Sequence, residues 1–165
     1  AHEGVYRKGT KIPYITHPME TAAIVTAFTN EPEMIAAALL HDVIEDAGAT
    51  KEELEEKFGS RVAFLVESES EAQSRSWMER KGTTVEHLKS ATRDEKILAL
   101  ADKLSNIRST VRDYLVLGDE VWQRFNQKDK EMKGWYYKGV AEALKEFQGH
   151  IYYEESLLLC KQIVG

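Results

Sequence analysis

The sequence predicts an all-α protein, and three observations carry that prediction. Apolar residues recur at three- and four-residue spacings over most of its 165 residues, while period-two alternation of β-branched residues is scarce. Only three prolines interrupt the pattern. Start and stop signals bracket the apolar runs: Thr50 with Glu53 and Thr92 with Glu95 fit the capping box, and Gly48, Gly59 and Gly118 stand where helices would end.

Residues 1–16 form a polar, basic lead-in, most charged at Arg7-Lys8-Gly9-Thr10-Lys11. Pro18 suits the first turn of a helix running to Thr29, which packs through Met19, Ala22, Ala23, Val25 and Phe28. Residues 33–47 read as one helix, with Asn30 as cap, Pro32 in the first turn and Gly48 as the stop. Thr50 opens a short acidic helix, and Ser60 caps another over 61–68 with Val62, Leu65 and Val66 turned inward. The Ser/Glu-rich stretch 67–76 loses the apolar period and reads as a mobile loop. Trp77-Met78-Glu79-Arg80-Lys81 returns to order as a basic, aromatic patch. Thr92 opens the longest helix, 93–117, whose stripe is Ile97, Leu100, Ala101, Leu104, Ile107, Val111 and Tyr114. A short helix at 121–125, a long one at 128–147 and a last one at 152–163 complete the chain. No internal repeat or second-domain boundary is visible, and the length suits one domain over 1–165.

Composition narrows the partners. With 22 basic and 28 acidic residues the net charge is −6, which argues against a nucleic-acid polymer or an anionic membrane as the binding partner. A small anionic ligand in a local basic pocket remains compatible with that charge. No segment is long and apolar enough to span a bilayer, and the start does not read as a signal peptide. Cys160 is the one cysteine, so no internal disulfide can form, and a reducing cytoplasm is the expected compartment.

Chemistry concentrates in His41-Asp42-Val43-Ile44-Glu45-Asp46, an imidazole and three carboxylates within six residues. On a helix Asp42, Glu45, His41 and Asp46 fall inside an arc of about 140°. Ala36, Leu39, Leu40, Val43, Ile44 and Ala47 occupy much of the remaining circumference. Clustered carboxylates repel one another and resist burial, so such a face needs solvent, cations or a metal. His17 stands at a helix start directly before Pro18, and Asp102 is an acid embedded in an otherwise packing-grade helix. Each also has a plainer reading: a helix-start polar residue for His17, a surface acid for Asp102.

The order His17, then His41-Asp42, then Asp102 matches the H…HD…D pattern of the HD-domain metal-dependent phosphohydrolases. Within that superfamily the chain resembles the guanosine pyrophosphate (alarmone) hydrolases, the hydrolase part of the Rel/Spo homologues and their small single-domain relatives. The matching stretches are His2-Glu3-Gly4 through Arg7-Lys8, Pro13-Tyr14-Ile15-Thr16-His17-Pro18, and Ala37 through Asp46. Phe58-Gly59, Glu79-Arg80-Lys81 and Leu100 through Arg108 match as well, so the similarity runs from the first residues to about Arg108. Ser105 departs from it, standing where relatives usually carry a larger His or Tyr, and so does the 67–76 stretch.

The resemblance implies an HD-type helical bundle holding one divalent ion on His17, His41, Asp42 and Asp102. It favours Mn²⁺; two imidazoles and two carboxylates also suit Fe²⁺, Zn²⁺ or Mg²⁺. It gives Glu45 and Asp46 the task of orienting or deprotonating the attacking water. Arg7, Lys8, Lys81 and Asn106 are the residues expected to contact a small nucleotide substrate. The implied reaction is removal of the 3′-pyrophosphate of (p)ppGpp, giving GDP or GTP. Two alternatives stay open: an HD phosphohydrolase for another nucleotide or phosphorylated metabolite, and a catalytically silent nucleotide-binding regulatory module. The intact Glu45–Asp46 pair argues against silence, because a pure binder has no need to activate water.

Overall fold

A computed structural model describes residues 1–71 and 75–165. It is all-α: 73% is helical, and no strand forms among the described residues. The helices are α1 (Thr16–Val25), α2 (Pro32–Leu40), α3 (Val43–Ala47), α4 (Lys51–Phe58), α5 (Ser60–Ser68), α6 (Trp77–Ser90), α7 (Arg93–Leu117), α8 (Lys130–Ala143) and α9 (Ile151–Val164). Shorter 3₁₀ turns cover Gly118–Arg124 and Lys145–Phe147. The chain divides into two compact units. One contains residues 1–71 and 92–102; the other contains 103–165 and the described residues of 72–91. Helix α7 contributes residues to both.

In the first unit the lead-in is more ordered than its polar composition suggests. Arg7 N–H donates to Ile12 O (2.9 Å) and Tyr14 N–H to Val5 O (2.8 Å), so the segment folds back on itself around an antiparallel Tyr6–Pro13 bridge. Gly9, at φ 68°, supplies the left-handed residue that this tight reversal needs. Helix α1 packs on α2, and both α2 and α4 pack on α5. Ile24, Val25, Met34, Ala37, Ala38, Leu54, Val62, Leu65 and Val66 are buried there. The opening of α7 is buried on every side, from Ile97 through Asp102. A helix apolar all round belongs in a core, and a carboxylate in that stretch must be matched to something.

The expected single helix over 33–47 is two. Helix α2 ends at Leu40 and α3 begins at Val43, with His41 and Asp42 in the break. Asp42 sits at φ −97°, ψ −3°, and its carbonyl accepts the Asp46 N–H (2.8 Å) to start α3. The apolar spacing continues across the break, which is why periodicity alone runs the two together. The physical reason for the break lies in the side chains: neighbours on a continuous helix point about 100° apart, whereas here His41 and Asp42 turn toward one place. The cap of α2 is Glu31 rather than Asn30, Pro32 is its first residue, and Gly48 closes α3 at φ 66°. Helix α1 begins two residues before Pro18 and stops at Val25. Ser60 is the first residue of α5 and Gly59 its cap. The expected boxes of Thr50 with Glu53 and of Thr92 with Glu95 both form.

The expected loop over 67–76 is shorter, because α5 extends to Ser68. Positions 72–74 of it lie outside the described residues. In the second unit Ser76 and Glu79 make a further capping box that starts α6. Helix α6 packs on α8, and α8 on α9. Gly139 permits the first of these approaches: a Cβ there would meet Val85 Cγ2 at 3.1 Å. The expected helix over 128–147 is α8 followed by the 3₁₀ turn Lys145–Phe147. Trp122 and Tyr136 are buried, and Trp135 is exposed.

Candidate metal centre

The break after α2 brings His41 and Asp42 to face His17, on the first turn of α1. His17 Nε2 and His41 Nε2 stand 3.0 Å apart. Asp102 Oδ1, from α7, lies 3.0 Å from His17 Nε2 and 3.3 Å from His41 Nε2. Asp42 Oδ2 lies 3.2 Å from His41 Nε2 and 3.6 Å from His17 Nε2. All four belong to the first unit, and both imidazoles are only 2% exposed.

The chemistry of these donors fits a divalent cation. His41 Nδ1 faces Ala38 O at 2.7 Å, a contact that places the Nδ1 proton there and leaves the Nε2 lone pair turned toward His17. Two imidazole nitrogens and two carboxylate oxygens crowded together are all electron-rich, so the group is held only by a proton or a metal. Ligand atoms bonded to one metal at about 2.1 Å lie roughly 3.0–3.4 Å from their neighbours, and all but the His17–Asp42 separation of 3.6 Å fall in that range. Geometry alone already groups His17, His41 and Asp42 as a possible ion site.

A proton takes the cation's part in the metal-free chain. Burial pushes His41 down, but hydrogen bonds and charge from Asp102 and Asp42 outweigh it and hold the imidazole up at about 11. Burial likewise favours a neutral Asp42, yet the His41 hydrogen bond and charge win and keep its carboxyl below the usual range. The raised His41 stabilises the metal-free fold fully below the ordinary histidine range, and that contribution is lost as pH climbs through about 11. A divalent ion must displace this proton. Its apparent affinity should therefore rise by up to about tenfold per pH unit across the neutral range. Calorimetric titration with Mn²⁺ in buffers of different ionisation heat counts the protons released, and a count of zero would show that the ion binds elsewhere.

Tyr14, to which sequence analysis gives no role, is bonded to the cluster through the Asp42 oxygen that faces both imidazoles. Its hydroxyl donates to Asp42 Oδ2 at 2.5 Å. Burial and the Asp42 carboxylate push the phenol far above its usual range, so it remains a donor. The available signal was its position three residues before His17, whose N–H donates to Tyr14 O (2.9 Å) and so puts both on one turn. His2 stacks on the Tyr14 ring at 4.8 Å, and the Arg7 guanidinium lies 5.7 Å from the same ring's centroid. Lys8 is exposed beside Gly9 at the tip of the lead-in.

Glu45 and Asp46 are exposed on α3, one turn beyond His41 and Asp42. Glu45 accepts the backbone N–H of Glu71. Burial and the neighbouring Asp42 carboxylate raise Asp46 above its usual range, against the opposing pull of His2 and His41. In the second unit Asn106 is exposed on α7, and Lys81 Nζ lies 5.1 Å from the Tyr136 ring centroid.

An all-helical framework that turns two imidazoles and two carboxylates onto one point defines a protein built to hold a divalent metal ion. The chain belongs to the HD-domain family, whose model matches residues 1–128. Among relatives, it is 39% identical over 115 residues to a guanosine-3′,5′-bis(diphosphate) 3′-pyrophosphohydrolase of Haemophilus influenzae, across 66% of this chain and 17% of that protein. It is 41% identical over 102 residues to the zebrafish (Danio rerio) pyrophosphohydrolase MESH1, across 61% of this chain and 57% of that one. The chain thus spans less than two thirds of either relative. Among solved structures, Listeria monocytogenes lmo0812 aligns with a TM-score of 0.82 at 32% identity, over 90% of this chain and 98% of that one. A metazoan SpoT orthologue that hydrolyses ppGpp aligns with a TM-score of 0.79 at 27% identity, over 98% and 88%.

Proposed function

We propose that this chain is a metal-dependent pyrophosphohydrolase that removes the 3′-pyrophosphate of (p)ppGpp, leaving GDP or GTP. The observation that carries the reading is the convergence of His17, His41, Asp42 and Asp102 within an HD-family chain whose relatives bear that activity in their names. We assign those four residues as ligands of one divalent ion, with Mn²⁺ the ion best suited. When bound, such an ion supplies Lewis acidity to a phosphoryl oxygen and lowers the pKa of a water. Tyr14 fixes the Asp42 carboxylate through its Oδ2. Glu45 and Asp46 orient the attacking water, and one of the two carboxylates takes its proton as the water oxygen bonds to phosphorus. The bond from phosphorus to the ribose 3′ oxygen breaks, that oxygen picks up a proton from solvent to become the 3′-hydroxyl, and pyrophosphate leaves. Arg7, Lys8, Lys81 and Asn106 hold the nucleotide's phosphates and base. The substrate is a small anion met in the cytoplasm, neither a nucleic-acid polymer nor a membrane surface, and residues 1–165 act as one functional domain.

The test is a panel of ppGpp, pppGpp, ordinary nucleotides and phosphorylated metabolites incubated with Mn²⁺-loaded protein. Pyrophosphate release fastest from the two alarmones is the expected result. Turnover of ppGpp no faster than of GTP or GDP would remove the alarmone assignment while leaving a phosphohydrolase of other specificity. Binding of nucleotide with no hydrolysis at all would establish the silent regulatory module instead.

A further inference from the structure

His2 lies outside every role assigned so far, yet it is built into the site. Val5 N–H donates to His2 O (3.1 Å) through a turn at Gly4, whose φ is 73°, and the fold-back of the lead-in fixes that turn beside Tyr14. The ring packs on Tyr14 with centroids 4.8 Å apart and planes at 46°. Its Nε2 is buried and has no hydrogen-bond partner among the described residues. Burying an unpaired imidazole nitrogen is costly, and such atoms in native proteins ask for a reason. The surroundings supply one: the Tyr14 ring on which His2 packs carries a hydroxyl that bonds Asp42 Oδ2 and also reaches the Asp46 carboxylate, so one side chain stands between His2 and Asp46. Polar groups that flank one side chain without touching can be joined by a single water.

We propose that His2 is a positioning residue for Asp46: its Nε2, through one shared water, holds that carboxylate in the orientation from which it acts on the nucleophile. This rests on the reading of Glu45 and Asp46 as the water-activating pair. The Tyr14 ring sets the height and tilt of the imidazole, and the turn at Gly4 sets its reach. The lead-in therefore serves the reaction through a side chain that touches neither metal nor substrate.

The experiment compares the Mn²⁺-loaded parent with His2→Phe, His2→Gln, Asp46→Asn and the His2→Phe/Asp46→Asn double variant. Phe keeps the stack on Tyr14 and loses the nitrogen; Gln restores a polar atom near the Nε2 position. His2→Phe should lower kcat on the order of tenfold, as loss of an outer-shell partner does, with KM, bound metal and thermal midpoint unchanged. His2→Gln should recover most of that loss. In the Asp46→Asn background His2→Phe should cost nothing further, because its effect passes through that carboxylate. A high-resolution crystal structure should show a water within hydrogen-bond distance of both groups. Parental kcat in His2→Phe, equal loss in Phe and Gln, additive losses in the double variant, or a missing water would each overturn the proposal. If Asp46→Asn itself turns over like the parent, the water-activating assignment falls and this inference with it. If Asp46→Asn is impaired and His2→Phe is not, only the inference falls.

Discussion

His17→Ala and Asp102→Ala should each strip the protein of stoichiometric metal and, with it, of hydrolytic activity. Removing an outer-shell partner of a metal ligand already costs roughly 10- to 100-fold in affinity, so deleting a ligand should exceed that range. His17 comes from α1 and Asp102 from α7, and each lies within 3.3 Å of the His41 nitrogen. Because Asp102 is buried and supports the His41 proton in the metal-free chain, Asp102→Ala also risks the fold. Asp102→Asn keeps the shape and removes the charge, and separates the two effects. Metal content by elemental analysis, read beside thermal melting, decides the matter: a folded Asp102→Asn variant that retains one tightly bound ion would remove Asp102 from the ligand set.

The second large effect is expected at Glu45 and Asp46. Changing both to their amides preserves size and much of the hydrogen bonding while removing the charge that draws a proton from water. General-base steps contribute about 10²–10⁴-fold, so turnover of the Glu45→Gln/Asp46→Asn double variant should fall on that scale. Metal content and nucleotide affinity should hold, since neither residue is a ligand in the proposed arrangement. The single variants apportion the loss. Asp46 lies in the field of Asp42 and His41, whereas Glu45 already accepts the Glu71 backbone N–H, so Asp46→Asn should be the costlier of the two. A double variant with parental turnover would mean that another group activates the water.

The all-α class and most helix positions were legible because caps and apolar spacing act locally: Thr50 with Glu53 and Thr92 with Glu95 speak for themselves within four residues. The capping box of Ser76 with Glu79 has the same signature, but a run of serines and glutamates around it hides the apolar period that would have drawn attention to it. His17, His41, Asp42 and Asp102 were legible through their order along the chain, not through spacing on any one helix. The break between α2 and α3 was not, since Leu39, Leu40, Val43 and Ile44 continue an apolar rhythm straight across it. The Tyr14 contact to Asp42 joins residues 28 apart, a long-range pairing that no local pattern in a single sequence announces.

The spacing of the four donors along the chain gives the ion a mechanical part as well as a chemical one. His41 and Asp42 are neighbours, so gathering them closes no loop. Joining His17 to His41 closes a segment of 24 residues, and joining Asp42 to Asp102 closes one of 60 (102 − 42). A covalent cross-link closing loops of those lengths restricts the unfolded chain by about 3–5 kcal/mol in entropic models. An ion clamped by the same residues is a staple that can be drawn by a chelator, and it ties the front of the chain to its longest helix. The loaded protein should therefore melt well above the stripped one and resist proteases longer. On the proposed reading, metal supply would set how long the molecule survives as well as how fast it works.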